Sequence, residues 1–422
     1  MIYLNNCTYI DYKTLLFNKT DILVESGIKG KIHFYKSKPQ NINVSETIDC
    51  KGKIVTHAFA NGHHHIYSAL ARGMGAPKKS PENFYEVLQY IWWTLDKCLD
   101  KDMIKASALA TAIACAKNGV SFVVDHHASP NYIKNSLQII ADAFDEVGIS
   151  HLLCYEITDR DGLNKTEEAL SETDCYLGKN QGLVGLHASF TVSDNTLKKA
   201  VDIAAKHNSG IHIHVAEDEF DQYHCMSTYK QRVVERLNSF GVLDFEKSIL
   251  GHCLHLDESE RKRISESKAW IVQNMESNLN NRVGYFNSKE LGSNIILGTD
   301  GMHSDMLQSS RAVFLSGAGN EYVSPPDVYK RFRNVHKYIA DNKFVADGDN
   351  NLVILDYDSP TEINAENFAS HFVYGINSNH VDSLISNGNL VLRNKVVINV
   401  DEAEILKFTR KEGAKLWKKM QK

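Results

Sequence analysis

Short apolar runs alternate with longer amphipathic segments through the central part of the chain. Segments such as DMIKASALATAIACAKNG and NTLKKAVDIAAKHNSG carry apolar residues at helical spacing, and several of them end at glycine, which favours a helix C-terminus. Uniformly apolar runs are typical of parallel strands that helices cover on both faces. The runs are, in order, KIVTHAFA, VSFVVD, ISHLLCYEI, GLVGLHA, GIHIHVAE, SILGHC, AWIVQN and NIILGTD. Eight strand and helix alternations predict an α/β chain with a (β/α)8 barrel, the TIM barrel.

The two ends of the chain follow a different pattern. The first fifty residues, and those after about residue 350, contain short strand-like segments separated by turn residues, and one helix closes the C-terminus. We expect both ends to pair in one small domain. The predicted organisation is a composite β-sandwich domain of residues 1–53 and 350–422 and a barrel domain of residues 54–349.

Composition narrows the range of partners. The apolar content of 43% and charged content of 23% are those of a soluble globular protein. A net charge of -5 without a basic stripe argues against nucleic acid, and the most apolar run, interrupted by Lys117 and Asn118, is too short to span a membrane. The N-terminus lacks a secretory signal, and eight cysteines without CxxC pairs favour reduced thiols. These features predict a cytoplasmic protein that binds neither nucleic acid nor membrane.

The carboxyl ends of the predicted strands are unusually polar. In TIM barrels the chemistry lies at this end, so the residues that close each run are the candidates for a site. One histidine at a strand end is more often structural, whereas seven of eight strands that supply His, Asp or Glu at the same end indicate a site. These residues are His63 and His65; Asp125, His126 and His127; Glu156; His187; His214 and Glu217; His252; Gln273 and Asn274; and Asp300.

The triplet HHH after the first run raises the question of which histidine binds a metal. Residues two apart on a strand face the same side, so His63 and His65 form one pair, but alternation alone equally allows His64 to face inward. Zinc and similar cations prefer imidazole nitrogens with a carboxylate and leave one position open in catalytic sites. A second HxH, ending at His214, and the carboxylate of Asp300 in LGTDG supply the remaining ligand types.

Glu217 follows His214 by three residues, in HVAE. A glutamate at this place can carry a proton to a leaving group during hydrolysis of a C–N bond. The alternative is a glutamate that only stabilises the positive end of a helix dipole.

The order HxH, HxxE, GHC and GTDG resembles the amidohydrolase superfamily, in its mononuclear branch of cytosine, guanine and adenosine-type deaminases and triazine hydrolases. The resemblance covers essentially the whole chain. DHHASP, CYEITDRDG, ESNLNNRVGY and LGTDGMHSD are most similar to the SsnA-type aminohydrolases, a group associated with purine catabolism. Two positions depart from the family pattern: His57-Ala58 stands in place of Pro-Gly, and Gln273 in place of histidine.

The resemblance implies a role for each matching residue. It makes His63, His65, His214 and Asp300 the ligands of one divalent metal, zinc in the first place with iron or manganese as alternatives. Glu217, His252 and Asp300 would be catalytic, and His187 and Arg160 would contact the substrate. His127 and His303 are further candidate substrate contacts because of their places after the second and the eighth strand. The fourth run has no lysine to bridge two metals, which favours one metal.

Three of the candidate substrate contacts also have a second interpretation. Either His126 or His127 could face the pocket, because consecutive strand residues face opposite ways. Arg160 could instead form a surface ion pair, and Trp92 and Trp93 could pack against helices rather than stack on a flat ring.

The predicted function is deamination of a nitrogen heterocycle, a purine or a purine catabolite, by metal-activated water. Ring opening of a cyclic amide or dechlorination by the same site is the alternative, and a catalytically silent barrel is a third. The family default is a homodimer that acts on a small heterocyclic substrate.

Overall fold

The strands fall into two sheets. The structure is a computed structural model, and it describes residues 1–39 and 42–422. The strands are β1 (Ile2–Ile10), β2 (Phe17–Val24), β3 (Ile32–Tyr35), β4 (Glu46–Asp49), β5 (Ile54–His57), β6 (Phe59–His64), β7 (Val120–His127), β8 (Ser150–Ile157), β9 (Val184–Ala188), β10 (Ile211–Val215), β11 (Ile249–His252), β12 (Trp270–Gln273), β13 (Ile295–Leu297), β14 (Leu352–Leu355), β15 (Val381–Ser386), β16 (Asn389–Arg393) and β17 (Val396–Val397). The strands β6 to β13 pair in parallel and in chain order, which confirms the (β/α)8 class.

The barrel closes where β6 meets the end of β13. A parallel bridge joins His64 to Asp300, and the backbone N–H groups of Thr299 and Asp300 both donate to the carbonyl of His63 at 3.0 Å. Gly298 permits this contact, because a Cβ at that position would lie only 2.8 Å from Cβ of His63. The closure therefore brings the HHH triplet and Asp300 together.

Helices surround the barrel as the amphipathic segments predict. They are α1 (Phe84–Val87), α2 (Trp93–Cys98), α3 (Lys101–Lys117), α4 (Ser136–Val147), α5 (Leu163–Leu177), α6 (Asp194–Lys206), α7 (Glu219–Tyr229), α8 (Val233–Ser239), α9 (Glu258–Glu266), α10 (Met275–Asn281), α11 (Met306–Asn320), α12 (Pro325–Asp341), α13 (Phe368–Tyr374) and α14 (Glu402–Met420). Local sequence sets several boundaries: the hydroxyl of Ser193 accepts from the N–H of Thr196 at the start of α6, and Gly148 ends α4 with φ of +96°.

The second sheet contains strands from both ends of the chain. Its order is β17-β16-β15-β14-β5-β1-β2-β3, with β4 beside β1, and it is mainly antiparallel. Its buried core includes Leu4, Ile22, Ile354 and Ile385. The predicted domain boundary at residue 54 stays a prediction. Strand β5, which lies just beyond that boundary, pairs with β1 and β14 of this sheet rather than with a barrel strand.

His57, one of the departures from the family pattern, lies where the chain passes from β5 into the barrel. Its Nε2 is 3.2 Å from Oδ1 of Asp347, whose Oδ2 is 2.8 Å from Nδ1 of His336 on α12. The ring of Tyr12 stacks on His57 at 4.7 Å. Burial opposes ionisation of Asp347, but the two histidines hold its pKa well below the usual range. This buried cluster links the terminal sheet to the barrel.

All eight cysteines are free, and six of them are buried. Among the described residues, no helix is both long and apolar enough to cross a membrane.

Candidate active site

Four histidines and one aspartate converge at the carboxyl end of the barrel. The residues are His63 and His65 from β6 and the following turn, His214 from β10, His252 from β11, and Asp300 after β13. Nε2 of His65 lies 3.0 Å from Oδ1 of Asp300 and 3.2 Å from Nε2 of His214. Nε2 of His252 lies 3.6 Å from Oδ2 of Asp300. All five residues are buried.

In three of the four histidines, Nδ1 faces away from the centre of the site and lies close to an oxygen acceptor. Nδ1 of His65 donates to the carbonyl of His126 at 2.6 Å, and Nδ1 of His214 to the carbonyl of His187 at 2.7 Å. Nδ1 of His252 lies 2.7 Å from Oδ1 of Asn278. Because each acceptor fixes the proton on Nδ1, the lone pair of Nε2 faces the centre of the site, which is the form that binds a metal.

His63 uses a histidine as its outward partner. Its Nδ1 lies 2.9 Å from Nε2 of His212, and Nδ1 of His212 lies 3.7 Å from Sγ of Cys154. A proton on Nδ1 of His63 that is donated to His212 leaves Nε2 of His63 free to face the centre. The sequence signal for His212 was the second HxH, but its place behind His63 was not predicted.

The donor set suits one divalent metal. Ligand atoms of His63, His214, His252 and Asp300 all lie within 4.8 Å of one another. The Nε2 atoms of His63 and His252 are buried without a hydrogen-bond partner. Burying a hydrogen-bond donor or acceptor without a partner destabilises the folded state, and a cation at the centre of the site would bind both nitrogens. Imidazole nitrogens with one carboxylate are typical ligands of zinc and similar ions.

The electrostatics of the site favour a bound cation. Burial opposes ionisation of Asp300, but the neighbouring imidazoles of His63 and His65 hold its pKa well below the usual range. Burial likewise opposes protonation of His65, yet its hydrogen bond to Asp300 raises its pKa to about 9, so an ion that binds Nε2 of His65 displaces the proton that this nitrogen shares with Asp300. Burial lowers the pKa of His63 to about 3, so this ring is neutral at physiological pH. Asp300 thus keeps a negative charge that a divalent ion can balance.

Glu217 lies beside this ring of donors and lines the cavity. Its Oε2 is 3.5 Å from Nε2 of His252. Burial raises the pKa of Glu217 well above its usual range, and the charge of Asp300 adds to this effect. The carboxyl group can therefore hold a proton next to the site where a leaving group would form.

The backbone is strained at three of the strand ends that carry the site. Ala216, His252 and Asp300 have φ of +47°, +67° and +54°, a region that non-glycine residues rarely adopt. Surrounding hydrogen bonds hold these conformations; for example, the N–H of Ala216 donates to Oδ2 of Asp221 at 2.8 Å. Such strain is common where side chains are aimed at a reaction centre.

A cavity opens from the donor ring. Its lining includes aromatic side chains and polar side chains from α10. The cavity is lined by His65, Tyr67, Phe84, Leu88, Trp92, Trp93, Glu156, Arg160, His187, His214, Glu217, Ser277, Asn280, Asn281, Asp300, Gly301 and Met302. Both tryptophans thus face the cavity. The residues from α10 were not predicted, because they belong to a helix rather than a strand end.

Two of the four predicted substrate contacts line the cavity, and two do not. His187 and Arg160 are part of the wall. His127 is not part of this lining, and its Nε2 lies 2.9 Å from Oγ of Ser129. His303 also lies outside the lining, and its Nε2 is 3.0 Å from Oε2 of Glu276. Both imidazoles have partners of their own, which disfavours a direct role in substrate binding.

His126, the neighbour of His127, is the inward-facing residue of β7. Its ring centroid is 4.9 Å from that of His214 and 5.4 Å from that of His65. Its Nδ1 lies 3.3 Å from Oε2 of Glu156. His126 therefore packs behind the metal site and connects it to the wall that carries Glu156.

Known proteins resemble this chain in sequence and in fold. The model of the Amidohydrolase family matches residues 54–330. The chain belongs to the amidohydrolase family. The 5'-deoxyadenosine deaminase of Methanococcus vannielii is 27% identical over 95% of this chain and 97% of its own length. The 5-methylthioadenosine/S-adenosylhomocysteine deaminase of Aquifex aeolicus is 29% identical over 89% of this chain and 90% of its own length.

Two solved amidohydrolase-like structures share the fold. A zinc-bound adenosine deaminase from Xanthomonas campestris superposes with a TM-score of 0.82 at 16% identity, covering 98% of each chain. The zinc complex of atrazine chlorohydrolase from Arthrobacter aurescens gives a TM-score of 0.82 at 16% identity over 98% of this chain and all of the other. These similarities confirm that this amidohydrolase has the barrel and the terminal domain of the fold.

Proposed function

We propose that this amidohydrolase is a metal-dependent aminohydrolase that deaminates a purine-type heterocycle. The observation that carries the proposal is the ring of inward-facing imidazole nitrogens around Asp300, with Glu217 at its edge and an aromatic cavity above it. The relatives named for deamination of adenosine-type compounds, which align over nearly the whole chain, support this substrate class. The complete donor set argues against a silent barrel.

His63, His65, His214 and Asp300 are the proposed ligands of the metal. The zinc in the fold neighbours supports zinc as the ion. When bound, such an ion lowers the pKa of a coordinated water toward 7 and so supplies a nucleophile at neutral pH.

The remaining residues move protons and orient the reactants. Glu217 is placed to protonate the departing nitrogen, since its carboxyl group lines the cavity beside the donor ring. His252 lies between the two carboxylates, 3.5 Å from Glu217 and 3.6 Å from Asp300, and is placed to orient the attacking water. Asp300 is the proposed acceptor of that water's proton.

His187 and the aromatic wall are the proposed substrate contacts. Nδ1 of His187 lies 2.8 Å from Oγ1 of Thr191, which leaves Nε2 available toward the cavity. Trp93 packs edge-on to His187 with ring centroids 5.9 Å apart, so a flat heterocycle would meet an aromatic edge and a polar nitrogen together. We further propose a cytoplasmic location, which the eight free thiols support. We also propose that the protein is a homodimer.

Ammonia release tests the proposed function. Metal-loaded protein is incubated with purines and purine nucleosides, and with pterins, pyrimidines and triazines, and ammonia and products are measured. We expect ammonia in equal amount to the purine-type compound consumed. A new carboxylate without ammonia would instead establish ring opening, and released chloride from a triazine would establish dechlorination; either result would contradict deamination.

A further inference from the structure

Arg160 forms part of the cavity wall, but carboxylates occupy its guanidinium group. Nη1 donates to Oε1 of Glu156 at 2.9 Å, Nε donates to Oδ2 of Asp161 at 3.2 Å, and Nη2 donates to Asp96. The face of the guanidinium packs on Trp93 at 5.0 Å. All four charged side chains are at most 8% exposed. We call these four residues the arginine cluster.

The arginine cluster carries no surplus positive charge. Three carboxylates face Arg160. Nζ of Lys97 lies 3.0 Å from Oδ1 of Asp161, and Nδ1 of His126 lies 3.3 Å from Oε2 of Glu156. Burial raises the pKa of Asp96 to about 7, so the net charge with Lys97 lies between zero and minus one at neutral pH. Among the described residues that line the cavity, Arg160 is the sole arginine or lysine. The wall that Arg160 forms therefore has no unpaired lysine or arginine to receive an anionic group.

We propose that the arginine cluster sets the charge specificity of the site: it accepts purine-type substrates with uncharged substituents and rejects those with a phosphate. Arg160 is thus not an anion receptor in this chain. This inference rests on the proposed function, because it assigns the substrate class of the same cavity.

The physical reason is the cost of burying an unmatched charge. An anionic substituent against this wall would either displace a carboxylate from Arg160 or lie unpaired beside Glu156 and Asp161. An uncharged substituent meets no such penalty, and it can pack against the aromatic side chains of Tyr67, Phe84 and Trp93. Discrimination by a repulsive element of this kind is an established route to specificity.

Two probes that share the adenine ring test the inference. The zinc-loaded protein is assayed with 5'-deoxyadenosine, which is uncharged, and with adenosine 5'-monophosphate, which carries a phosphate. Ammonia release gives kcat/KM for each, and titration calorimetry with the zinc-loaded protein gives each affinity independently of turnover. We expect kcat/KM and affinity to favour the uncharged probe by at least about 100-fold, because the anion is buried without a partner.

Two variants that change the charge at the arginine cluster in opposite directions test whether the cluster causes the preference for the uncharged probe. Asp161→Asn removes one negative charge while an amide oxygen remains to accept from Arg160, and we expect the preference for the uncharged probe to fall by about fivefold. Lys97→Gln removes the positive charge that lies beside Asp161 of this cluster, and it should increase the preference. Asp174→Asn, which breaks an exposed pair with Lys206, is the matched control and should leave the preference unchanged.

The outcomes separate this inference from the proposed function. Equal affinity and equal kcat/KM for both probes would overturn the inference alone, and so would an unchanged preference in Asp161→Asn. Binding of 5'-deoxyadenosine without ammonia release, together with exclusion of the phosphate, would overturn the proposed deamination and support the charge specificity. Failure of both probes to bind would contradict both.

Discussion

Glu217→Gln is expected to lower kcat for ammonia release by about three orders of magnitude and to leave bound metal unchanged. The amide keeps the size of the side chain but has no proton to transfer to the departing nitrogen, and a positioned acid of this kind contributes about 10²–10⁴-fold. Glu217 is not among the clustered metal donors, so its loss should not release the ion. Steady-state ammonia release and metal analysis of the same sample measure the two effects.

A matched control lies two residues further along the chain. Glu219 is 88% exposed, and Glu219→Gln should keep the full rate. A Glu217→Gln variant with an unchanged rate would contradict its role as proton shuttle, and a variant without metal would instead make Glu217 part of the metal site.

Asp300→Asn is expected to weaken metal binding by at least about 100-fold and to abolish turnover with it. Asp300 supplies the negative charge of the donor ring, and an amide cannot replace a carboxylate as an anionic ligand. Asparagine tolerates positive φ about as well as aspartate, so the strained turn at +54° should be preserved. Competition with a chromogenic chelator measures the affinity, and thermal unfolding verifies that the variant is folded.

The exposed Asp202 on α6 provides a control for the loss of a carboxylate. Asp202→Asn should bind metal and turn over substrate as the unmodified protein does. Retention of metal affinity by Asp300→Asn would remove Asp300 from the ligand set and leave the site to the histidines alone.

The barrel could be predicted because the hydrophobic pattern repeats. Each strand is an uninterrupted apolar run that ends in polar residues, and parallel pairing places those ends on one face. The donors at the ends of separate strands, such as His214 and Asp300, were therefore predictable as a group. Alternation alone permits two answers for the HHH triplet, and it was the resemblance to the family that selected His63 and His65. The barrel closure decides between the two answers, because the Nδ1 atom of His64 is held by the carbonyl of Asp300 at 2.6 Å.

The choice between His126 and His127 shows a second limit of pattern reasoning. The pairing of β6 with β7 shifts register twice, so the inward face of β7 cannot be counted from the sequence. The structure turns His126 inward and gives His127 a serine partner.

The arginine cluster lay beyond sequence reasoning for a different reason. Asp96 and Arg160 are 64 residues apart, and only the packing of α2 against the loop after β8 joins them. The motif TDRDG suggested an arginine with a function, but not that three carboxylates would occupy it. Long-range ion pairs leave no periodic signal, so charge specificity has to be inferred from the folded chain.

Titration of zinc into chelator-treated protein tests the central claim most directly. Ammonia formation from an uncharged purine nucleoside is followed as zinc is added back to the protein. The account predicts that activity is lost without metal, rises in proportion to added zinc and stops rising at one zinc per chain. Full activity after complete removal of metal, or a rise that continues to two zinc ions per chain, would contradict a single-metal aminohydrolase.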